Sequence, residues 1–298
     1  MDTKETEVKV SLKIDKNLML EIIKKSVLAQ YHRWYQVYEV PFTNSRIANQ
    51  KDILDEDVEI TSQSGTSKGK ANLEERLKPF TGWLNAHHVQ STKVEYKDDN
   101  HLSLEAEIVY QNIRPDDSKY SYKIKYSTIL VMRENDLPIF THVNLMPIEN
   151  ISEFVYAPAY PENRCKSFLY YWNYLHALSQ CNLQNVSEKF KELLSSTFTI
   201  SSSFFETINT HEGLMKVNEA FKFKYSNHFL KTIKVVENKD DSFTVYYQSD
   251  WQGITLDDIK KVSETDYELV LENNMDERFA RLKSLKVTPI KPIQEGEW

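Results

Sequence analysis

Glycine is scarce in this chain: six of the 298 residues are glycine, and no two of them form a G-x-G pair. Loops that cradle phosphate need backbone N–H groups freed by closely spaced glycines, so the chief feature of dinucleotide-binding and P-loop folds is missing. The sequence also lacks H-E-x-x-H, C-x-x-C and G-x-S-x-G motifs. We therefore expect no cofactor and no bound metal.

An excess of positive charge and long apolar runs are missing as well. The net charge is −7, whereas proteins that bind nucleic acid carry a basic face. No apolar run approaches the ~20 residues of a membrane span, and the opening Met1–Glu5 is polar. The two cysteines, Cys165 and Cys181, lie roughly 24 Å apart along one predicted helix, beyond disulfide reach. We expect a reduced, cytoplasmic protein without a nucleic-acid or membrane partner.

Three landmarks recur in order at intervals of about 140 residues, which is the most informative pattern present. They are an aromatic helix, a histidine that opens a strand and a proline that closes the last strand: Trp34 and Trp172, His88 and His228, Pro147 and Pro289. A period this long indicates two copies of one domain. We predict a first domain over residues 16–150 and a second over 161–292.

Each copy shows helical periodicity first and strand patterns afterwards. Apolar residues from Leu20 to Tyr38 step by three or four, which predicts a helix that ends before Pro41. Two shorter helices and a meander follow, with elements predicted over 46–54, 58–62, 71–80, 87–96, 101–111, 120–133 and 139–146. The predicted class is α+β: two cone domains, each with three N-terminal helices packed on a curved antiparallel sheet.

This order of elements resembles the nuclear-transport-factor-2-like (NTF2-like) superfamily, which includes the ketosteroid isomerase, scytalone dehydratase and SnoaL groups. The resemblance to scytalone dehydratase extends to Trp34, Tyr38 and Glu39 at the end of the first helix and to His88 on the first long strand. It implies that Tyr38, Glu39 and His88 face the cone interior as general acid–base partners. It also implies pairing through the sheets, either as an intramolecular pseudo-dimer or as a homodimer.

The chemistry of Glu39 and His88 supports the same hypothesis independently. A carboxylate at the rim of an aromatic cavity is desolvated, which raises its pKa, and an imidazole titrates near neutrality. The alternative is a solvated glutamate and a hydrogen-bonded strand histidine. Neighbouring His87 must point to the opposite face, and the repeat favours His88 as the inward one. The second copy has Ala177 in place of Glu39, so the first copy is the better catalytic candidate.

Aromatic and imidazole side chains of the first copy, and three residues at matching positions of the second, are candidates for binding a small apolar or aromatic ligand. They are Tyr31, Trp34, Trp83, Tyr126, His142, Trp172, His176 and His228. The alternative is that the aromatic stripes form an ordinary core. His142 alternates with apolar neighbours, and either face of its strand could point inward.

Two classes of function remain open. One is a cofactor-independent enzyme that uses the cavity of the first domain for a dehydration, an isomerisation or an epoxide opening. The other is a non-catalytic protein, either a carrier of a hydrophobic small molecule or an interaction scaffold. The second domain is expected to be a binding-only or structural partner.

Overall fold

The computed structural model describes residues 14–203 and 205–298; the polar start of the chain, for which no signal peptide is expected, lies outside them. The first half comprises α1 (Lys16–Glu39), α2 (Asn44–Lys51), β1 (Leu54–Ser62), β2 (Gly65–Lys68), α3 (Leu73–Leu77), β3 (Leu84–Tyr96), β4 (His101–Ile113), β5 (Lys119–Val131) and β6 (Ile139–Asn150). The second half comprises α4 (Tyr160–Gln180), α5 (Ser187–Glu192), β7 (Leu194–Ser202), α6 (His211–Ala220), β8 (Tyr225–Glu237), β9 (Phe243–Ile254), β10 (Lys260–Glu272) and β11 (Arg281–Glu295). The predicted α+β class is confirmed.

Helix α1 is long because nothing in its sequence interrupts it. The Asp15 side chain caps its first turn by accepting a hydrogen bond from the Asn17 backbone at 2.8 Å. It ends at Glu39 because Val40 precedes Pro41 and is held in an extended conformation. Most of its residues from position 22 onwards are buried, so α1 is covered on more than one side.

The two sheets have the strand orders β2-β1-β6-β5-β4-β3 and β7-β11-β10-β9-β8. Strands β3 to β6 and β8 to β11 form the predicted antiparallel meanders. Each sheet is nevertheless mixed, because β1 pairs in parallel with β6 and β7 pairs in parallel with β11. Parallel pairing requires a long connection, so periodicity within one strand gives no sign of it.

Each sheet curves over its own long helix and encloses a core. Trp34, Tyr35 and Tyr38 of α1 pack inside the first sheet, and Phe168 and Trp172 of α4 pack inside the second. Helix α1 also contributes Ile22 and Ala29 to the core of the second half. The two halves therefore share this helix.

The halves meet chiefly through α1 and α4, so the predicted intramolecular pairing through the sheets is wrong. Pairing of two copies through the sheets stays a prediction. The contact is polar and buried: His32 Nδ1 lies 2.8 Å from Asn163 Oδ1, and Gln36 donates to Ser167 Oγ at 3.1 Å. Arg164 in turn donates to Gln36 Oε1 at 3.1 Å. Polar groups on the outer side of each helix find partners on the other helix, which sheet pairing would not provide.

The connection between the halves runs from the end of β6 at Asn150 to the start of α4. Helix α4 begins at Tyr160, with Pro161 in its first turn, where proline is well tolerated because that turn needs no N–H donor. Cys165 and Cys181 are both free and buried. None of the described helices has the length and apolarity to cross a membrane.

Candidate functional site

The Glu39 carboxylate is the centre of a buried hydrogen-bond network at the end of α1. Its side chain is 0 % exposed. Oε1 accepts from the His87 backbone nitrogen at 2.8 Å, and His87 Nδ1 lies 3.1 Å from the same atom. Asn163 Nδ2, from α4, donates to both carboxylate oxygens at 3.1 and 3.2 Å. The carboxylate therefore joins α1, β3 and α4.

His87, not His88, is the inward histidine of β3, which corrects the prediction. His88 turns away from Glu39, and its Nε2 lies 3.0 Å from the carbonyl oxygen of Ala157 in the connecting segment. His88 is therefore a hydrogen-bonded strand residue, as the alternative hypothesis held. Glu39 is buried, whereas that hypothesis expected it to be solvated. The strand alternation was predicted correctly, but the wrong member of the pair was chosen.

A shift of one residue in the repeat explains the error. Both strands carry a bulge, which leaves Gln90 of β3 and Lys231 of β8 unpaired. Aligning the two bulges places His87, rather than His88, opposite His228. Because successive strand residues face opposite ways, a shift of one residue exchanges inside and outside.

The first cone is filled around this set. The His87 ring stacks between Tyr35 and Tyr110, with ring centroids 4.7 and 4.8 Å away, and Tyr38 lies 5.9 Å away. The predicted acid, tyrosine and histidine are thus brought together, with His87 in place of His88. Both faces of the imidazole are covered by protein rings, which leaves a substrate only its edge.

Burial also keeps the phenols of this cone protonated. It raises the pKa of Tyr31 and Tyr35 well above the usual value. Burial raises the pKa of Tyr38 as well, although the nearby Arg76 opposes the rise. None of these groups is a phenolate near neutral pH, so none is a ready proton acceptor.

The other candidates of the first half fall in three environments. Tyr31, Trp34 and Tyr126 are buried core residues, as the alternative hypothesis held. Trp83 lines an open groove at the mouth of the cone. His142 is exposed, because Val143 is the inward residue at that point of β6, and it therefore does not line the cone.

An apolar cavity of about 190 Å³ lies inside the second cone. Three predicted residues, Trp172, His176 and His228, line it. The rest of the lining is mainly aliphatic and aromatic: Ile200, Phe205, Ile208, Leu214, Val217, Phe221, Phe223, Tyr247, Trp251, Tyr267, Leu285, Val287 and Ile293, with the polar Asn173, Gln180, Asn218, Ser263 and Thr265.

The two histidines of this cavity are neutral. Burial lowers the pKa of His176 to about 4, which Asn218 opposes, and burial lowers the pKa of His228 to about 3, as does the neighbouring His176. Among the described residues, no side chain hydrogen-bonds to the His228 ring, and Asn218 Nδ2 is buried without a partner. Both residues line the cavity, so each has hydrogen-bonding capacity for a ligand.

A glycine makes room for a large ring on the wall of the second cone. Tyr110 and Trp251 hold matching places, each paired across the strands with the inward histidine. Two residues on, the second half has Gly253 where the first has Asn112. The Trp251 ring lies against Gly253 so closely that a Cβ there would be 2.4 Å from it. Trp251 can therefore lie along its strand instead of standing in the cone.

The mouth of the cavity is formed by partly exposed apolar side chains. Phe221 and Phe223 lie on one side, and Ile293, which is 45 % exposed, lies on another. Below them the Trp251 indole is fixed by a 2.9 Å hydrogen bond from Nε1 to Ser226 Oγ. The sequence prediction did not include Asn218 or Trp251. The only signal for the second was the Trp–x–Gly spacing on one strand face.

Comparison with known proteins gives matches to solved structures alone. No family model and no curated protein matches the chain. Similar solved structures include ActVI-ORFA from Streptomyces coelicolor (14 % identity, TM-score 0.36, 42 % of this chain and 97 % of that one). They also include the hexachlorocyclohexane dehydrochlorinase LinA-type3 from Novosphingobium barchaimii (12 %, 0.38, 45 % and 94 %) and an NTF2-like protein of unknown function in nutrient uptake from Rhodospirillum rubrum (10 %, 0.33, 40 % and 96 %).

Each of these matches covers less than half of this chain and more than nine-tenths of its own. One of these structures is described as NTF2-like, the group that the sequence resembles. At these identities and TM-scores, no argument about activity or substrate rests on the likeness.

Proposed function

We propose that the second half of the protein binds a small, uncharged, mainly apolar molecule that carries one hydrogen-bonding group. The observation that carries this proposal is the apolar cavity lined by the neutral His228 ring and by Asn218 Nδ2, which is buried without a hydrogen-bond partner. Apolar walls supply affinity, and a few convergent polar groups fix orientation, as in most small-molecule sites.

The volume supports a ligand of about one ring. A cavity of roughly 150 Å³ lined by aliphatic and aromatic side chains is large enough to bind benzene. The cavity here, at about 190 Å³, accommodates a monocyclic molecule with one or two substituents. The half-exposed apolar residues at the mouth give such a molecule a route inward.

The protonation states favour binding over acid–base catalysis. A histidine whose pKa is about 3 or 4 is a weak base, and a general base works best when its pKa lies near the operating pH. A neutral imidazole can instead exchange a hydrogen bond with a hydroxyl or carbonyl group. We therefore favour the carrier among the functions left open by the sequence.

In the first half, the hydrogen bonds of Glu39 and the ring contacts of His87 favour a structural role over a catalytic one. Glu39 accepts hydrogen bonds from two residues on two different elements, and the imidazole faces are covered. A catalytic dyad would need a free volume beside the imidazole. We propose that this set joins the two halves instead.

The binding proposal is tested with phenol and toluene, which carry a hydroxyl group and a methyl group at the same ring position. Both are titrated into the protein and followed by ¹H–¹⁵N NMR. We expect chemical-shift changes confined to residues of the second cone. His228→Phe and Asn218→Leu should each weaken the binding of phenol by about tenfold and leave the binding of toluene unchanged. Absence of saturable shifts in the second cone for either probe would refute the proposal.

A further inference from the structure

The open groove at the mouth of the first cone has the composition of a binding site of a different kind. Its volume is about 860 Å³, several times that of the second-half cavity. Aromatic rings line it on several sides: Phe80, Trp83, Tyr110 and Tyr122. Two arginines, Arg76 and Arg114, lie among these rings.

Arg114 is held in place without a carboxylate. Its guanidinium lies 4.5 Å from the centre of the Trp83 ring and 4.1 Å from that of Tyr120. The nearby Asp116 is turned to Ser118, whose hydroxyl donates to it at 2.6 Å. Within residues 14–203 and 205–298, Arg114 forms no ion pair, and its buried Nε has no hydrogen-bond partner. Cation–π stacking orients the guanidinium and leaves its donors free.

Arg76 is in a similar state. Its buried Nε also lacks a hydrogen-bond partner among the described residues, and it forms no ion pair with any of their carboxylates. It lies close enough to Tyr38 to influence the pKa of that phenol. The groove therefore holds two guanidinium groups that form no ion pair with a described carboxylate, although Asp116, whose pKa is lowered mainly by Ser118, also interacts with Arg114 at longer range.

The remaining charged side chains of the groove neutralise each other locally. Lys68 pairs with Glu59 at 3.0 Å, and Glu75 pairs with Lys78 at 2.6 Å. The groove is consequently a positive area on a chain whose net charge is −7. A field of this sign concentrates anions at the groove.

A buried amide gives the groove a third kind of contact. Asn112 is only 1 % exposed and lines the groove, and its Oδ1 has no hydrogen-bond partner. Leaving a buried carbonyl oxygen unpaired is unfavourable. A hydroxyl or amide donor of a bound molecule would satisfy it.

We propose that this groove is a second binding site, specific for an organic anion with a flat aromatic body. Its acid group binds between the Arg76 and Arg114 guanidiniums, its rings pack among Trp83 and Tyr110, and a donor substituent reaches Asn112. Planar guanidinium groups match carboxylates geometrically and bind them by charge-assisted hydrogen bonds. This site is independent of the uncharged ligand proposed for the second half.

The proposal is tested with 6-hydroxy-2-naphthoate, a fluorescent acid, and with 6-hydroxy-2-naphthamide, its neutral counterpart. Fluorescence titration of the full chain should show the acid binding at least about tenfold more tightly than the amide. Arg114→Gln and Arg76→Gln should each remove most of that difference while leaving the affinity for the amide unchanged. Added salt should weaken the binding of the acid and leave the binding of the amide unchanged.

Lys97→Gln is the matched control because it removes one positive charge at the other end of β3. That strand has 13 residues, so the control lies roughly 40 Å from Trp83. Equal affinities for acid and amide, or equal weakening by Lys97→Gln, would overturn the proposal. If Arg114→Gln does not fold, Arg114→Lys serves instead: lysine keeps the charge but not the fork, so acid affinity alone should fall.

Discussion

Glu39 Oε1 lies 2.8 Å from the backbone nitrogen of His87 and 3.1 Å from its Nδ1, so one oxygen contacts both the main chain and the side chain of the same residue. The main-chain contact ties the end of α1 to the fourth residue of β3, and the side-chain contact orients the ring. Asn163 adds a contact from the other half of the chain. Replacing Glu39 should therefore affect folding before it affects any chemistry.

Glu39→Leu, which is similar in size, should lower the free energy of unfolding by about 3 kcal/mol or more, because donors on His87 and Asn163 lose their acceptor. Glu39→Gln keeps one acceptor oxygen and should lower it by about 1–2 kcal/mol. Urea unfolding measures both. Glu95→Gln, on the exposed surface, should change it by less than about 0.5 kcal/mol. Native stability in Glu39→Leu would contradict a structural role.

Gly253→Ala should close the second-half cavity while leaving the backbone intact. The added Cβ would meet the Trp251 ring at 2.4 Å, so the ring must move, and core overpacking of this kind lowers stability by about 1–3 kcal/mol. We expect phenol and toluene both to bind at least about tenfold more weakly, as measured by NMR titration. Gly296→Ala, near Val262, is the control outside the cavity. Unchanged affinity in Gly253→Ala would show that Trp251 does not control access.

Stability should fall as the solution is acidified below about pH 6.5. Burial lowers the pKa of His32 to about 3, and those of His228 and His176 to about 3 and 4. Between these values and 6.5 the unfolded chain binds more protons than the folded one, so the loss begins as pH passes below 6.5. Each histidine should contribute about 2 kcal/mol between pH 7 and pH 5.

Urea unfolding at several pH values measures this loss. His228→Phe should reduce it by the contribution of one histidine. His142→Gln, at an exposed position, should leave it unchanged. Equal pH dependence in His228→Phe and the native protein would show that His228 is not a buried neutral histidine.

Local patterns predicted the helices and the meanders of this fold. The stripe from Leu20 to Tyr38 follows helical periodicity, and α1 indeed runs to Glu39. The parallel pairing of β1 with β6 was not predicted, because it joins segments about 80 residues apart. The contact between α1 and α4 was missed for a related reason. The residues that form it, such as His32 and Gln36, are polar, and helical periodicity does not distinguish a polar face that packs on another helix from one that meets solvent.

The candidate site depended on finer features than periodicity resolves. An alignment good to one residue is adequate for a domain boundary, but on β3 it exchanged His87 for His88. The location of the cavity depends on side-chain volume. At matching helix positions the first half has Tyr35 where the second has Asn173, and the second half has more free space there. A repeat that conserves element order does not conserve volume.

The shared position of α1 means that neither half is a self-sufficient folding unit. A chain cut between β6 and α4 would give an amino-terminal piece with His32 and Gln36 facing water, and a carboxyl-terminal piece missing Ile22 and Ala29 from its core. Two such pieces expressed together should associate, whereas either expressed alone should aggregate. Circular permutation at that connection, which keeps both pieces on one chain, should preserve the folded protein.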